Sequence, residues 1–201
     1  MEETTVYPVH LSVDYPQRDL NRLSTGFRIF AAIPILIVLV LISGASYRIP
    51  GAGGLIFLAL MLMLVFRQKY PRWWFDWNLA LTRFGTRVSA YLLLLRDEYP
   101  STDEEQAVHL DIPYPDAKQG LNRWLPLVKW FLAILHYVVL VFLWIAAIVC
   151  AIIAWFAILF TGRYPRGLFD FEVGVVRWYL RVAAYAFLLT TDRYPHFRLS
   201  E

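Results

Sequence analysis

From Phe131 to Thr161 the chain runs for thirty-one residues without a charged side chain. As one helix that stretch would reach roughly 45 Å at about 1.5 Å per residue, well beyond a hydrocarbon core of about 30 Å. The sequence therefore predicts a transmembrane helical hairpin there, with a tight turn between Phe142 and Ile148. Two other apolar runs precede it: Phe27–Ile42 carries one charge, Arg28, and Leu55–Phe66 carries none. With 59% hydrophobic residues and a mean hydropathy of +0.49, the chain is too apolar for an ordinary soluble domain. The single cysteine, Cys150, sits in the longest apolar run, which excludes an intramolecular disulfide and a cysteine-based zinc site. No basic segment followed by a short apolar core opens the chain, so no cleaved leader is expected.

The order of motifs repeats. Val9-His10-Leu11 with Tyr15-Pro16 recurs as Val108-His109-Leu110 with Tyr114-Pro115, and Leu20-Asn21-Arg22 recurs as Leu121-Asn122-Arg123. The segment YPRWWFDWNLALTRFGTRVSAYLLLL from Tyr70 matches YPRGLFDFEVGVVRWYLRVAAYAFLL from Tyr164, and both lead to a Tyr-Pro pair, Tyr99-Pro100 and Tyr194-Pro195. The expected architecture is an all-α integral membrane protein of two tandem units. Each unit is a transmembrane helical hairpin plus an in-plane amphipathic helix, with a short cytoplasmic β-strand segment. Unit one covers residues 1–100, with membrane helices at 27–46 and 52–68 and an interfacial helix at 72–95. After a linker at 101–107, unit two covers 108–201, with two membrane helices within 124–162 and an interfacial helix at 166–190. In unit one the hairpin turn lies between Ser43 and Gly54, where glycines and Pro50 separate two apolar runs. The strands, Val9–Val13 and Val108–Ile112, alternate apolar and polar residues.

Charge orients this arrangement. Of nineteen Lys and Arg residues only Arg48 falls in an expected hairpin loop, and all sixteen acidic residues lie at the hairpins' open ends. Basic residues flanking membrane segments stay cytoplasmic. Both termini are therefore expected inside, and the units are parallel, related by an approximate two-fold axis along the membrane normal.

The third helix of each unit carries a polar stripe. Asp76, Arg83 and Arg87 fall within about 40° of one another at 100° per residue, and Asp170, Arg177 and Arg181 repeat them, with Tyr91 and Tyr185 also corresponding. Two readings are open. The arginines hold internal ion pairs and hydrogen bonds or face water, or they bind anionic phospholipid headgroups through their planar donor forks. An acidic partner protein would satisfy the same chemistry. FDWNLALTRFGTRVSAY and FDFEVGVVRWYLRVAAYAFLLTTDRYP resemble the bacterial membrane family known as domain of unknown function 4389 (DUF4389). The second copy is closer to the family pattern, and the first departs from it around Trp73-Trp74 and Thr82–Thr86. The resemblance implies a bacterial membrane protein and brings no activity with it.

Catalytic motifs are absent from the sequence: there is no G-x-S-x-G elbow, no H-E-x-x-H pair and no Gly-Lys phosphate loop. His10 and His109 are equivalent positions without a ligand cluster, and His136 suits an interhelical hydrogen bond, so neither a metal nor a cofactor is expected. Membrane anchoring already accounts for the basic bias, which leaves nucleic acid without support. The expected function is a non-catalytic accessory or scaffold protein of the bacterial inner membrane. It would bind anionic phospholipid, a partner membrane complex or copies of itself through its basic interfacial helices. The alternatives are an oligomeric channel or transporter subunit and, less well supported, a lipid-modifying enzyme.

Overall fold

The structure, a computed structural model, describes residues 7–43 and 55–200 and is mostly helical. Its elements are β1 (His10–Val13), α1 (Arg22–Gly26), α2 (Arg28–Ser43), α3 (Leu55–Leu62, continued by a π-helical turn over Met63–Arg67), α4 (Arg72–Leu92), β2 (Val108–Asp111), α5 (Lys129–Leu132), α6 (Ile134–Thr161) and α7 (Arg166–Ala186).

β1 and β2 pair antiparallel, with Leu11 opposite Leu110, His10 opposite Asp111 and Ser12 opposite His109. Because Leu11 and Leu110 are matching positions of the two sequence halves, the register is symmetric about that pair. Side chains alternate across a strand. Leu11, Val108 and Leu110 are buried on one face, while His10, Ser12, His109 and Asp111 are exposed on the other.

The helices stack on the apolar face in two layers. α4 packs on β2 and α7 on β1, so each long amphipathic helix covers the strand of the opposite half. Both begin directly after a Tyr-Pro pair. Pro71 and Pro165 occupy the N-cap with φ near −67° and −62°, where a missing N–H forfeits no helical bond. Over this layer lie α2 on α4 and α6 on α7. One core joins all three layers and includes Leu11, Leu110, Leu64, Trp74, Ile158 and Leu180.

α6 departs from the expected hairpin. It is one continuous helix of 28 residues through Phe142–Ile148, ended at Gly162 in the left-handed region (φ 77°), which glycine enters without steric cost. It buries a single stripe along its length: His136, Leu140, Ala147, Ala154 and Ile158. That four- and seven-residue spacing keeps one face against α7, and a turn would have broken the stripe. α6 is long and apolar enough to cross a membrane, and it alone meets that test among the described residues; the apolar helices Arg28–Ile42 and Phe57–Arg67 are shorter.

The expected turn between Ser43 and Gly54 lies almost entirely outside the described residues. Among those described, α2 packs chiefly on α4 and α1, and α3 is not one of its principal partners. Buried Ala32, Leu60 and Leu64 match buried Ala133, Ala154 and Ile158 of the second half. α2 and α3 therefore bury residues at the positions that match Ala133, just before α6, and the second half of α6. Other boundaries shift by a few residues: the amphipathic helices end at Leu92 and Ala186, before buried Leu94 and Leu189, which take positive φ.

Candidate functional site: the arginine stripes and the ion pairs at the helix ends

The four stripe arginines point from α4 and α7 toward the sheet and the segments beside it. Arg83 donates through Nε to the Leu110 carbonyl at 2.9 Å and lies 3.7 Å from the Asp111 carboxylate. Arg177 donates to the Leu11 carbonyl at 3.0 Å and to Leu199 at 3.3 Å. Arg87 reaches the Ser101 carbonyl at 3.0 Å, and Arg181, fully buried, reaches the carbonyls of Arg198 and Ser200. These are charge-assisted bonds to backbone, worth about 1.5–3 kcal/mol each when shielded from water. They hold each strand against the other half's helix, and they tie the linker and the carboxyl-terminal tail down.

The stripe acids do something else. Asp76 pairs with Arg72 at 3.2 Å and Asp170 with Arg166 at 3.4 Å, both one helical turn away and largely exposed. Asp76 forms no ion pair with Arg83, its neighbour on the stripe, because Arg83 turns to the strand. Arg72 and Arg166 also stack on the rings of Tyr114 and Tyr15, at 4.7 and 4.4 Å. Those two tyrosines in turn donate to the carbonyls of Tyr70 and Tyr164, each at 2.5 Å and each across the two halves.

Tyr91 and Tyr185 sit beneath buried cations. The Arg28 guanidinium lies 4.5 Å from the Tyr91 ring centre, donates to Tyr91 O at 3.0 Å and pairs with Asp97. The Lys129 ammonium lies 5.2 Å from the Tyr185 ring, 2.7 Å from Asp192 and 2.7 Å from the Thr191 carbonyl. Asp97 and Asp192 each also accept from the N–H of a matching asparagine, Asn21 and Asn122. These paired sites were not among the sequence candidates. The available signal was a lone charge, Arg28, at the mouth of an apolar run, with a Leu-x-x-Asp turn, Leu94–Asp97 and Leu189–Asp192, following each amphipathic helix.

His136 is buried and accepts from Trp178 Nε1 at 3.1 Å through Nδ1, while its ring stacks on Phe197 at 4.1 Å. His10 and His109 lie diagonally across the exposed sheet face, two residues apart in register, and His109 lies 3.5 Å from Asp14. Among the described residues no group of three or more His, Cys, Asp and Glu is placed to hold a metal.

Glu172 on α7 is a further residue that the sequence did not single out. It is fully buried, neither carboxyl oxygen has a hydrogen-bond partner among the described residues, and burial pushes its carboxyl up to about 8. The first half has Asn78 at the matching position, where the amide donates to Trp74 O at 2.8 Å.

Residues 124–198 match the model of a family described as Domain of unknown function (DUF4389). The match takes in α5, α6 and α7, the ion pair of Lys129 with Asp192, and the side chains of Arg177 and Arg181; it is found once, not in the two tandem copies of the expected architecture. No curated protein and no solved structure matches the chain.

Proposed function

We propose that the protein is a non-catalytic scaffold of the bacterial inner membrane, made of two copies of the unit that the family match covers once. The observation that carries this reading is the division of the molecule into two unlike faces. α2, α3 and α6 present large exposed apolar side chains, among them Phe30, Ile37, Phe66, Phe142, Ile145 and Phe156. The opposite face is the polar side of the sheet. Soluble monomers rarely leave an apolar expanse of this extent bare, so it calls for lipid or protein. On this reading the chain is seated in the membrane by the first face and offers the second to a partner complex on the cytoplasmic side.

An open groove of about 680 Å³ runs along that second face, lined by His10, Ser12, Arg83, Asp103, His109 and Asp111 among others. Mixed charge in a shallow groove suits a polar protein partner. Headgroup contact falls instead to exposed basic residues at the helix ends, since the stripe arginines are already engaged by backbone carbonyls.

The test is the mass of the native assembly in membranes solubilised by an amphipathic polymer. The reading expects an assembly heavier than the lone chain, reduced to the lone chain by Asp111→Arg while membrane retention is unchanged. A lone chain in both cases contradicts the scaffold role.

A further inference from the structure

The length and hydropathy of α6 suggest a membrane crossing, but its neighbours argue against one. α6 and α7 run antiparallel in contact along their lengths. Trp178 bonds to His136 near the start of α6, Tyr179 meets Trp144 at 6.0 Å, and Phe169 and Ile158 share the core at the far end. The middle of α7 carries the sheet, through the bond from Arg177 to Leu11. Standing α6 across a bilayer would therefore place β1 and β2 at mid-depth, with exposed His10, His109 and Asp111 and the outer edges of a sheet that has only two strands among the described residues in hydrocarbon. An intramembrane charge costs roughly 3 kcal/mol or more, and open sheet edges exposed to lipid do not occur there.

The distribution of positive charge points the same way. Leu20 N–H donates to Gly162 O at 2.8 Å and Arg163 pairs with Asp19, so exposed Arg22 and Arg163 lie at the same end of the apolar layer. Arg123 donates to the carbonyls of Val65 and Phe66, which brings it beside exposed Arg67 at the other end. A crossing would put basic residues equally on both sides of the membrane, against the retention of such residues on the cytoplasmic side. Laid flat, the same layer has both basic ends at one headgroup level.

Resting on the membrane reading above, we infer that α6, and with it α2 and α3, lies in the plane of the cytoplasmic leaflet, so that the chain enters the bilayer from one side without crossing at α6. The occupant of the apolar face is the hydrocarbon of one leaflet. One layer of helices is about 10 Å thick, within a leaflet core of about 15 Å, half the bilayer value. The sheet's polar face then looks into water, and the two-fold axis through Leu11 and Leu110 stands along the membrane normal.

The experiment uses the full chain in vesicles of phosphatidylethanolamine and phosphatidylglycerol, with Cys150→Ala and one nitroxide-labelled cysteine at a time. Leu135, Phe142, Val149 and Phe156 are all exposed and lie seven residues apart on one face of α6. Depth is read from the ratio of oxygen to nickel-chelate accessibility. The inference expects one depth at all four positions. A crossing helix would put Phe142 and Val149 roughly 10 Å deeper than Leu135 and Phe156, from the rise per residue; that profile overturns the in-plane seat and leaves the membrane reading standing. Water-like accessibility at all four positions, without flotation of the protein with the vesicles, overturns both. Exclusion of oxygen with dipolar broadening between labels assigns the face to a second copy and also overturns the inference.

Discussion

Leu11 and Leu110 face each other across the two-stranded sheet, and the arginine that grips each one's carbonyl comes from the opposite half: Arg177 for Leu11 and Arg83 for Leu110. The two halves are therefore interlocked, each supplying the helix that covers the other's strand. Removing one leucine should be felt on both sides. Leu11→Ala, at a site about 1% exposed, should cost about 2–5 kcal/mol, read as a large drop in the thermal midpoint in lipid nanodiscs. A change of less than a degree would mean that the sheet is peripheral.

The stripe arginines should behave as ties. Arg87→Ala should lower stability by about 1.5–3 kcal/mol through loss of its bond to Ser101. The phospholipid retained by the protein in native mass spectrometry should stay the same. Loss of retained anionic lipid at unchanged stability would return these residues to the role of headgroup ligands.

How much of this was legible in the sequence differs from one element to the next. Val9–Val13 and Val108–Ile112 announce themselves as strands by alternation, and the amphipathic helices begin at Tyr-Pro pairs that are plain in the chain. α6 departs from the expected hairpin for a physical reason: uncharged length can be compared only with a bilayer's thickness, and it does not say whether the chain turns within the run or continues as one helix. The alanines at 133, 147 and 154 do mark a close-packed face, yet they score as apolar like everything around them. The stripes illustrate a similar limit. Periodicity places Arg83 and Arg87 on one side of α4, while the carbonyls that they meet belong to a strand and a linker more than ten residues away. Asp97 and Asp192 sit in turns whose approach to Arg28 and Lys129 depends on how α4 and α7 fold back on α2 and α6.

Lys129 is fully buried against Asp192. Lys129→Met should strand the carboxylate and cost about 3 kcal/mol, whereas Lys129→Arg should be tolerated, because the matching site holds Arg28 with Asp97 in the same relation. Chemical unfolding midpoints of the two variants distinguish them. Equal losses would show that the site accepts only an ammonium.

Glu172 gives the stability a defined pH dependence. Its carboxyl titrates near 8 in the folded chain against an ordinary value of 4.5, so the folded state binds the proton more tightly than the unfolded chain. Stability is undiminished below about pH 4.5 and falls as pH rises toward 8, by up to about 1.4 kcal/mol per pH unit. Glu172→Gln should remove that slope and raise the thermal midpoint at pH 8 relative to the native chain. Parallel pH profiles for the two proteins would contradict the buried, unpartnered state of this carboxyl.

Gly174 lets the carboxyl-terminal tail lie against α7. A methyl group there would sit 2.8 Å from Leu199 Cβ and 3.2 Å from its carbonyl oxygen. Gly174→Ala should displace the tail despite the roughly 1 kcal/mol that alanine gains in a helix. Hydrogen exchange at residues 196–200 should quicken while β1 stays protected, and unchanged exchange would mean that the tail adjusts without leaving.

The central claim is that lipid covers the face made by α2, α3 and α6 and that water covers the face made by the sheet. Photo-crosslinking in intact membranes tests it most directly, with benzoylphenylalanine at position 142 on α6 or at position 12 on β1. The account predicts phospholipid adducts at 142 and none at 12. Protein adducts alone at 142, or lipid adducts at both positions alike, would contradict it.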